Sequence, residues 1–229
     1  MKQLVASAII LKRTNFNEAD RIIKVITPDR GKITLMAKGV RKLNSKIAGS
    51  IELFSTIDIT YLLGKGSIDR LLSARLKEYF SNIVKDLERT NAGYDFIKCI
   101  DKITEDEIES EWYDLLLKSF TYLNDTSMSL ELIIIWFYIT VLNMTGHLPN
   151  LSNDVKGDSF KEKTKYNFII EKMSFDANEN GNYDSDQIKI LKLATNFEPN
   201  KLVNIKGIKE LSKDILPLVE LISSFSLEL

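Results

Sequence analysis

The stretch RIIKVITPDRGKITLMAK, residues 21–38, contains the pattern that predicts the fold at the front of this chain. Its first part is a β-rich run, and Asp29, Arg30 and Gly31 make a turn after it. Beyond the turn two sets of side chains alternate, an apolar set of Ile33, Leu35 and Ala37 and a mostly polar set of Lys32, Thr34, Met36 and Lys38. Because successive side chains of a strand point to opposite faces, the apolar set is predicted to face a core and both lysines the other face.

Further strand-like runs lie on both sides of this predicted hairpin. Residues 4–12 are rich in β-forming side chains, and residues 56–61 alternate in polarity. A glycine-containing turn at residues 64–66 comes before a fifth run, residues 68–76. Five strands with tight turns in about 75 residues predict a small closed β-barrel. The periodicity alone does not distinguish an OB-fold barrel from an SH3-like one.

The pattern changes near Phe80, after which apolar residues recur at helical spacing. Residues 130–144 are apolar on nearly all sides, which is typical of the buried central helix of a bundle. Ser129 is the predicted cap at its start and Gly146 the predicted end. Pro217 lies inside the last helical run, where we expect a kink or a break.

The predicted fold class is therefore α+β, with a five-stranded β-barrel followed by an all-α domain. The boundary is expected at residues 79 and 80, so that the domains span residues 1–79 and 80–229. Residues 150–185 are rich in Asn, Asp and Lys and are predicted to be a small, loop-rich insertion in the helical domain.

The net charge of −1 hides an asymmetry between the two halves of the chain. Residues 1–80 contain 15 Lys and Arg against 7 Asp and Glu, whereas residues 81–229 contain 16 against 25. A basic region joined to an acidic one predicts a polyanionic partner for the first region only.

The basic residues of the first region are concentrated between residues 30 and 46, and no acidic residue lies between Arg30 and Ile51. Side chains that neutralise phosphates release condensed counterions, so affinity for nucleic acid does not require base identity. The candidate DNA-binding residues are Arg30, Lys32, Lys38, Arg41, Lys42 and Lys46. A possible extension across neighbouring strands consists of Lys65, Arg70 and Arg75.

The alternative interpretation of these cations is a solvated strand face that only keeps the protein soluble, because charged patches are common. Aromatic stacking surfaces would favour nucleic-acid binding, but they are sparse. The candidates are Phe16, Phe54 and Tyr61, and each is more often a core residue than a platform.

Several segments in the same order resemble one known family, the bacterial RecO proteins. Residues 18–42, followed by Asn44-Ser45-Lys46, resemble the family's N-terminal barrel, with its Gly-Lys turn and its Ala-Lys-Gly-x-Arg-Lys loop. Residues 51–63 and 72–79 continue the resemblance, and residues 87–94 resemble the first helix of the family. The Gly-His-Leu-Pro-Asn-Leu stretch at residues 146–151 resembles the end of its central helix. The resemblance implies that the barrel is an OB-fold.

The resemblance also implies a function without catalysis. RecO proteins bind single- and double-stranded DNA, anneal complementary strands and, with RecR, help RecA to replace single-strand-binding protein (SSB) on gapped DNA. The helical domain of at least some members receives the C-terminal tail of SSB. For this chain it implies DNA contact at the six residues from Arg30 to Lys46, no enzymatic activity, and partners that include DNA, SSB, RecR and, indirectly, RecA.

The chain departs from the family pattern in the segment after residue 151. Many members have two Cys-x-x-Cys pairs there that can hold zinc, whereas this chain has Asn153 and Lys156 at the first pair's place. Its one cysteine, Cys99, lies elsewhere among apolar residues and is expected to be buried. We therefore expect no zinc and no other cofactor, and an insertion held by packing or mobile.

Three other motifs are weak candidates for chemistry. Residues 176–181 resemble the start of a calcium loop, but the twelfth position is Gln187, which has no carboxylate, so a plain turn is expected. His147, the only histidine, follows a helix end and has no nucleophile as a predicted partner. The acidic residues between Glu105 and Glu111 could hold magnesium, but at a helix start they more simply favour the helix dipole.

Two other classes of protein remain open alternatives: an RNA-binding OB module and a non-catalytic protein–protein adaptor that docks through its apolar helices. The first residues lack a signal-peptide cleavage site, and the most apolar later run, residues 133–142, is too short to span a bilayer. We therefore expect a cytoplasmic, nucleoid-associated protein without membrane contact.

Overall fold

The structure is a computed structural model, and it describes residues 2–104 and 110–228. The chain forms two compact units, one that ends at Asp125 and one that begins at Thr126. The first unit contains the predicted barrel and also two helices that follow it.

Five strands form a closed barrel in the first unit. They are β1 (Gln3–Phe16), β2 (Asp20–Thr27), β3 (Gly31–Ala37), β4 (Ser55–Leu62) and β5 (Ile68–Tyr79). Their order around the barrel is β1-β2-β3-β5-β4, and every neighbouring pair is antiparallel except β3 and β5, which are parallel. A five-stranded barrel in front of a helical region confirms the α+β class, and its topology is OB-like.

The register of β2 and β3 explains the alternation in the quoted stretch. Val25 lies opposite Ile33 and Ile23 opposite Leu35, and all four side chains are buried in the barrel core. Lys32, the residue before Ile33, points away from the core and is partly exposed. The predicted faces of β3 are therefore confirmed.

A hydroxyl group shapes the turn between β2 and β3. The Thr27 side chain accepts a hydrogen bond from the Arg30 N–H (3.2 Å) and donates one to the Gly31 carbonyl (3.1 Å). Gly31 has a φ of 58°, in the left-handed region that glycine adopts without strain. The turn places Arg30 at one end of β3.

Two helices complete the first unit: α1 (Leu87–Ile103) and α2 (Ser110–Asn124). Asp86 caps α1, because its carboxylate accepts a hydrogen bond from the Arg89 N–H (3.0 Å). The buried Arg89 guanidinium donates to the carbonyls of Leu123 (2.8 Å) and Asp125 (3.1 Å). One arginine thus satisfies orphan carbonyls at the end of α2 and joins the two helices.

An aromatic cluster holds these helices against the barrel. The Phe54 ring lies 5.1 Å from the Tyr94 ring of α1 and 5.5 Å from the Phe120 ring of α2, both edge to face. A Cβ atom on Gly93 would lie 2.6 Å from the Phe54 ring, so only glycine allows α1 to approach this closely. Phe54 is therefore a core residue.

The second unit contains four helices: α3 (Leu130–Met144), α4 (Ser185–Ala194), α5 (Pro199–Leu202) and α6 (Ile208–Leu227). The largely buried α3 packs against α4, α5 and α6, which confirms the predicted central helix. Ser129 accepts a hydrogen bond from the Leu132 N–H (3.4 Å), and Gly146 follows the helix with a φ of 74°. The predicted start and end of α3 are therefore both confirmed.

The last helix continues through Pro217 without a break, so of the two expected outcomes, a kink or a break, the break does not occur. Proline has no N–H to donate to the carbonyl four residues earlier, which belongs to Lys213. Both residues are exposed, so water can bond that carbonyl in place of the missing donor.

Residues 150–185 contain more regular structure than their composition predicts. Strands β6 (Lys165–Ile169), β7 (Ser174–Ala177) and β8 (Tyr183–Asp184) form an antiparallel sheet in the order β7-β6-β8. The Phe160 ring lies 5.1 Å from that of Tyr166 and 5.8 Å from that of Phe175, and the latter two side chains are fully buried. Three separated aromatic residues give the segment a small core, so the second domain is not purely α-helical.

A buried carboxylate shapes the turn at residues 154–158, at the start of the segment that was predicted to be loop-rich. Asp154 accepts hydrogen bonds from the N–H groups of Lys156 and Asp158, both at 2.9 Å. Its own N–H donates to the Asp158 carbonyl (2.8 Å), and the Gly157 N–H donates to the Asp154 carbonyl (3.0 Å). Side chain and backbone of one aspartate therefore close this turn.

Candidate nucleic-acid interface

The six candidate cations of the quoted region do not form one cluster. Arg30 and Lys32 lie at the start of β3, whereas Lys38 and the residues after it lie beyond its end. Seven strand residues at about 3.3 Å each separate the two groups by roughly 20 Å. Each group therefore has its own surroundings.

The segment after β3, residues 38–46, is called the basic loop below. Three hydrogen bonds attach it to the β1–β2 turn and the start of β2. Arg41 makes two of them: its N–H donates to the Ala19 carbonyl (2.9 Å), and its guanidinium donates to the Asn17 carbonyl (3.2 Å). The third runs from the Gly39 N–H to the Asp20 carboxylate (2.7 Å). Asn17 has a φ of 48°, a left-handed conformation that asparagine tolerates in tight turns. The backbone at the start of the loop is thus held in place.

The lysines of the basic loop extend into solvent. Lys38, Lys42 and Lys46 are exposed, and none of them forms an ion pair within residues 2–104 and 110–228. Lys38 and Lys42 line a shallow depression of about 600 Å³ together with residues of the β1–β2 turn, Glu18 and Asp20 among them. These ammonium groups are available to phosphates, next to two carboxylates that lower the local positive potential.

Arg30 has partners within the barrel. Its guanidinium donates to the Tyr61 hydroxyl and to the Asp69 carboxylate, both at 3.2 Å, and lies 5.8 Å from the centre of the Tyr61 ring. The hydrogen bond to Tyr61 is the main cause that raises the pKa of Arg30 above its ordinary value; burial opposes it, and the hydrogen bond to Asp69 adds to it. About two fifths of its side chain is exposed, 39%, so it can still reach a ligand.

Lys32 also has internal partners. Its ammonium group donates to the main-chain carbonyls of Asp101 (2.7 Å) and Thr104 at the end of α1, and only 16% of its side chain is exposed. On the neighbouring strand, the Lys24 ammonium group donates to both carboxylate oxygens of Asp101, at 2.9 and 3.0 Å. The two lysines thus hold the end of α1 against the outer faces of β2 and β3.

A groove of about 640 Å³ opens beside these contacts. It is called the basic groove below, and the side chains that give it its chemistry are Lys24, Arg30, Lys32, Thr34, Ser67 and Asp69. Lys24 was not among the sequence candidates, because it lies outside the acid-free run. Its position opposite Thr34 in the predicted hairpin is the signal that could have found it.

The three residues of the possible extension have different surroundings. Lys65 is exposed in the β4–β5 turn, and Arg70 is exposed on β5 beside Met36 of β3. Arg75 donates to the Asp58 carboxylate at 2.9 Å, and this hydrogen bond is the main cause that lowers the pKa of Asp58. Arg70 is therefore close to the end of β3 where the basic loop begins, and Arg75 has a carboxylate partner.

The aromatic candidates differ in exposure. Tyr61 and Phe54 are buried, at 1% and 2% exposed, so neither can stack on a base. Phe16, at the end of β1, is 41% exposed and precedes the turn to which the basic loop is attached. It is the one of the three candidates whose ring a base could reach.

Two family models match the chain. The model described as "Recombination protein O N terminal" matches residues 1–80, and the one described as "Recombination protein O C terminal" matches residues 84–229. The chain belongs to the RecO family. The first match covers the barrel with both the basic loop and the basic groove.

Curated RecO proteins are similar along much of the chain. The DNA repair protein RecO of Desulfatibacillum aliphaticivorans is 30% identical over 158 residues, 68% of this chain and 61% of that protein. The DNA repair protein RecO of Acetivibrio thermocellus is 30% identical over 171 residues, 74% of this chain and 68% of that protein. That of Desulforamulus reducens is 28% identical across the whole chain and 91% of its own length. The first of these matches spans about three fifths of the relative.

The remaining chemical candidates have structural surroundings. Cys99 is fully buried, and burial raises the pKa of its thiol to about 12, so it is not a reactive thiolate at neutral pH. Residues 176–181 consist of the end of β7 and a turn, in which the Asn178 side chain accepts a hydrogen bond from the Asn180 N–H (2.9 Å). The acidic run from Glu105 to Glu109 lies outside the described residues. Within the described ranges, no three His, Cys, Asp or Glu side chains are grouped to hold a metal, and no helix is long and apolar enough to cross a membrane.

Proposed function

We propose that this RecO-family chain is a DNA repair and recombination mediator whose barrel, residues 1–79, binds the sugar-phosphate backbone of single- and double-stranded DNA. The basic loop is the principal contact. The observation that supports it is the exposure of Lys38, Lys42 and Lys46, which form no ion pair with any residue that the structure describes. They lie on a loop whose start is hydrogen-bonded to the β1–β2 turn.

Such a surface suits binding without sequence preference. Ammonium and guanidinium groups that neutralise phosphates displace condensed counterions, which gives affinity for any sequence and a strong dependence on salt. A protein that screens the repulsion between two strands also lets complementary strands meet, and base pairing then supplies the specificity. Exposed Phe16 next to the loop can add stacking on an unpaired base.

Family membership supports the wider part of the proposal. RecO relatives carry the name DNA repair protein, which favours a role for this chain in loading RecA on SSB-coated DNA together with RecR. We propose that the helical domain, residues 80–229, receives the C-terminal tail of SSB and that the protein works in the cytoplasm at the nucleoid. No catalytic step is part of the proposal.

Charge reversal of the basic loop tests the proposed function. We expect the variant with Arg41→Glu, Lys42→Glu and Lys46→Glu to lose DNA binding in a gel-shift assay at low salt while it remains folded. The matched control carries Lys206→Glu, Lys209→Glu and Lys213→Glu, an equal charge change at exposed lysines of the second unit, and should bind as the wild type does. Unchanged affinity of the loop variant would refute the assignment.

Two further assays separate the alternatives. Competition between DNA and RNA oligonucleotides of matched sequence distinguishes a DNA mediator from an RNA-binding module, which would prefer RNA. Annealing of complementary oligonucleotides coated with SSB tests the mediator role itself. A pure adaptor would bind SSB in a nuclease-treated pull-down and would not accelerate annealing.

A further inference from the structure

The basic groove contains an anion supplied by the protein itself. Lys24 and Lys32 point outward from neighbouring strands, and both reach Asp101 at the end of α1. The Lys24 ammonium group contacts both oxygens of the Asp101 carboxylate, and Lys32 lies 3.5 Å from one of them. Proteins hold a phosphate in a similar way, with lysine ammonium groups that converge on its anionic oxygens.

The groove beside this contact has the shape and polar groups of a backbone-binding channel. Its 640 Å³ lies next to Lys24 and Arg30, whose side chains are 34% and 39% exposed. The hydroxyls of Thr34 and Ser67 add hydrogen-bonding groups to its lining. A phosphodiester could contact Arg30 and the exposed part of Lys24 without displacing α1.

The charge of the groove is nearly balanced. Three cations, Lys24, Arg30 and Lys32, are opposed by the carboxylates of Asp69 and Asp101. Among the residues that the structure describes, the lysines of the basic loop have no such ion pair. The groove is therefore a weaker anion site than the loop, although each has three cations of this kind: Lys24, Arg30 and Lys32 in the groove, and the exposed lysines 38, 42 and 46 in the loop.

We propose that the basic groove is a second phosphodiester-binding site of the barrel, and that the Asp101 carboxylate competes with phosphate for Lys24 and Lys32. This rests on the proposed DNA-binding function and divides it between two sites roughly 20 Å apart along β3. The loop holds DNA strongly. The groove holds a second segment of backbone weakly, so that this segment can leave when strands pair.

Removal of the competing charge tests the proposal. Asp101→Asn keeps an oxygen that can accept from Lys24 and leaves the main-chain contacts of Lys32 unchanged. We expect a labelled poly-dT oligonucleotide to bind this variant about three- to tenfold more tightly at low salt, with a steeper salt dependence, in an anisotropy titration. The control Glu88→Gln removes an exposed carboxylate at the other end of α1, about 20 Å away, and should bind as the wild type does.

A double variant shows whether the gain comes from the groove. Adding Lys24→Met to Asp101→Asn should abolish the gain, since the released ammonium group is then absent. If the single variant Asp101→Asn binds more tightly than the wild type and the double variant does not, the proposal is supported, even where binding by the wild type is too weak to measure. Equal binding by Asp101→Asn and the wild type, an equal gain in Glu88→Gln, or a gain that survives Lys24→Met would each overturn it. Loss of DNA binding in every variant and in the wild type would instead reject the proposed function together with the groove.

Thermal melting accompanies each titration, so that unfolding is not taken for lost affinity. A parallel titration with inorganic phosphate identifies the ligand. If millimolar phosphate competes as effectively as the oligonucleotide does, the ligand of the groove is a free anion and not the polynucleotide backbone. That result would overturn the proposed binding of a second strand.

Discussion

The basic loop and the basic groove lie at opposite ends of β3 and contain similar numbers of cations, but their side chains have different partners. Lys38, Lys42 and Lys46 extend into solvent, whereas Lys24 and Lys32 hold the end of α1. The acceptor for Lys32 lies 69 residues later in the chain. The number of cations in a segment therefore does not measure its attraction for DNA. Carboxylates and carbonyls from residues far away in the sequence can bond these cations and weaken the positive potential of the segment.

The largest expected effect is on stability and distinguishes the two regions directly. Lys32→Met removes the ammonium group that donates to two carbonyls at the end of α1, one of them the carbonyl of buried Thr104. We expect a loss of about 1–3 kcal/mol in the free energy of unfolding, measured by urea denaturation.

The matched control for that variant is Lys42→Met, the same change at an exposed lysine of the basic loop. Its free energy of unfolding should stay within about 0.5 kcal/mol of the wild type. Equal destabilisation by the two variants would show that the contact between Lys32 and α1 contributes nothing.

A smaller loss of stability is expected from Tyr61→Phe. The change removes the hydroxyl that accepts from the Arg30 guanidinium but keeps the buried ring. We expect a loss of about 0.5–1.5 kcal/mol in the free energy of unfolding. Tyr79→Phe, at an exposed tyrosine of β5, is the control and should change nothing measurable.

Of the two lysine variants, Lys42→Met should lose more DNA affinity, whereas Lys32→Met should lose more stability. Lys42→Met should lower the slope of log affinity against log salt by about 0.9, which corresponds to one lost phosphate contact. Lys32→Met should lower it less, since its ammonium group is already bonded within the protein. A larger loss at Lys32 would reverse the ranking of loop and groove.

The smallest effect concerns Arg75, a candidate cation that has a carboxylate partner. Its hydrogen bond is the main cause that lowers the pKa of Asp58, so Arg75→Ala should raise that pKa toward its ordinary value in an NMR titration. A depressed carboxyl pKa stabilises the fold above the unfolded-state pKa, and this contribution disappears as the pH falls through the folded-state value.

Because 83% of the Arg75 side chain is exposed, the cost at neutral pH should be only about 0.2–1 kcal/mol. Lys77→Ala should shift the Asp58 pKa less, since Lys77 acts on it only through charge. An unchanged pKa in Arg75→Ala would count against the ion pair.

Local patterns predicted the fold where local rules determine the structure. The alternation from Lys32 to Lys38 predicts the faces of β3, and Ser129 and Gly146 predict the ends of α3, because strand periodicity and helix capping act over a few residues. The sheet in residues 150–185 was missed because its core comes from rings as far apart as Phe160 and Phe175 among polar neighbours.

The candidate interface was predictable in composition but not in arrangement. The acid-free run identified the lysines of the basic loop, and hydrophobic patterning placed Lys32 on the outer face of its strand. Its contact with Asp101 depends on where α1 ends in space, which no local pattern encodes. Lys24 was overlooked for the same reason, since its importance comes from a carboxylate 77 residues away.

The turn closed by Asp154 also bears on how this segment of the chain folds. A turn held by metal-bound cysteines is complete only after an ion has been acquired and its ligands have lost their protons. Here a carboxylate and two amide groups of the nascent polypeptide complete the turn on their own. Residues 150–185 contain no cysteine, so thiol oxidation cannot open this turn.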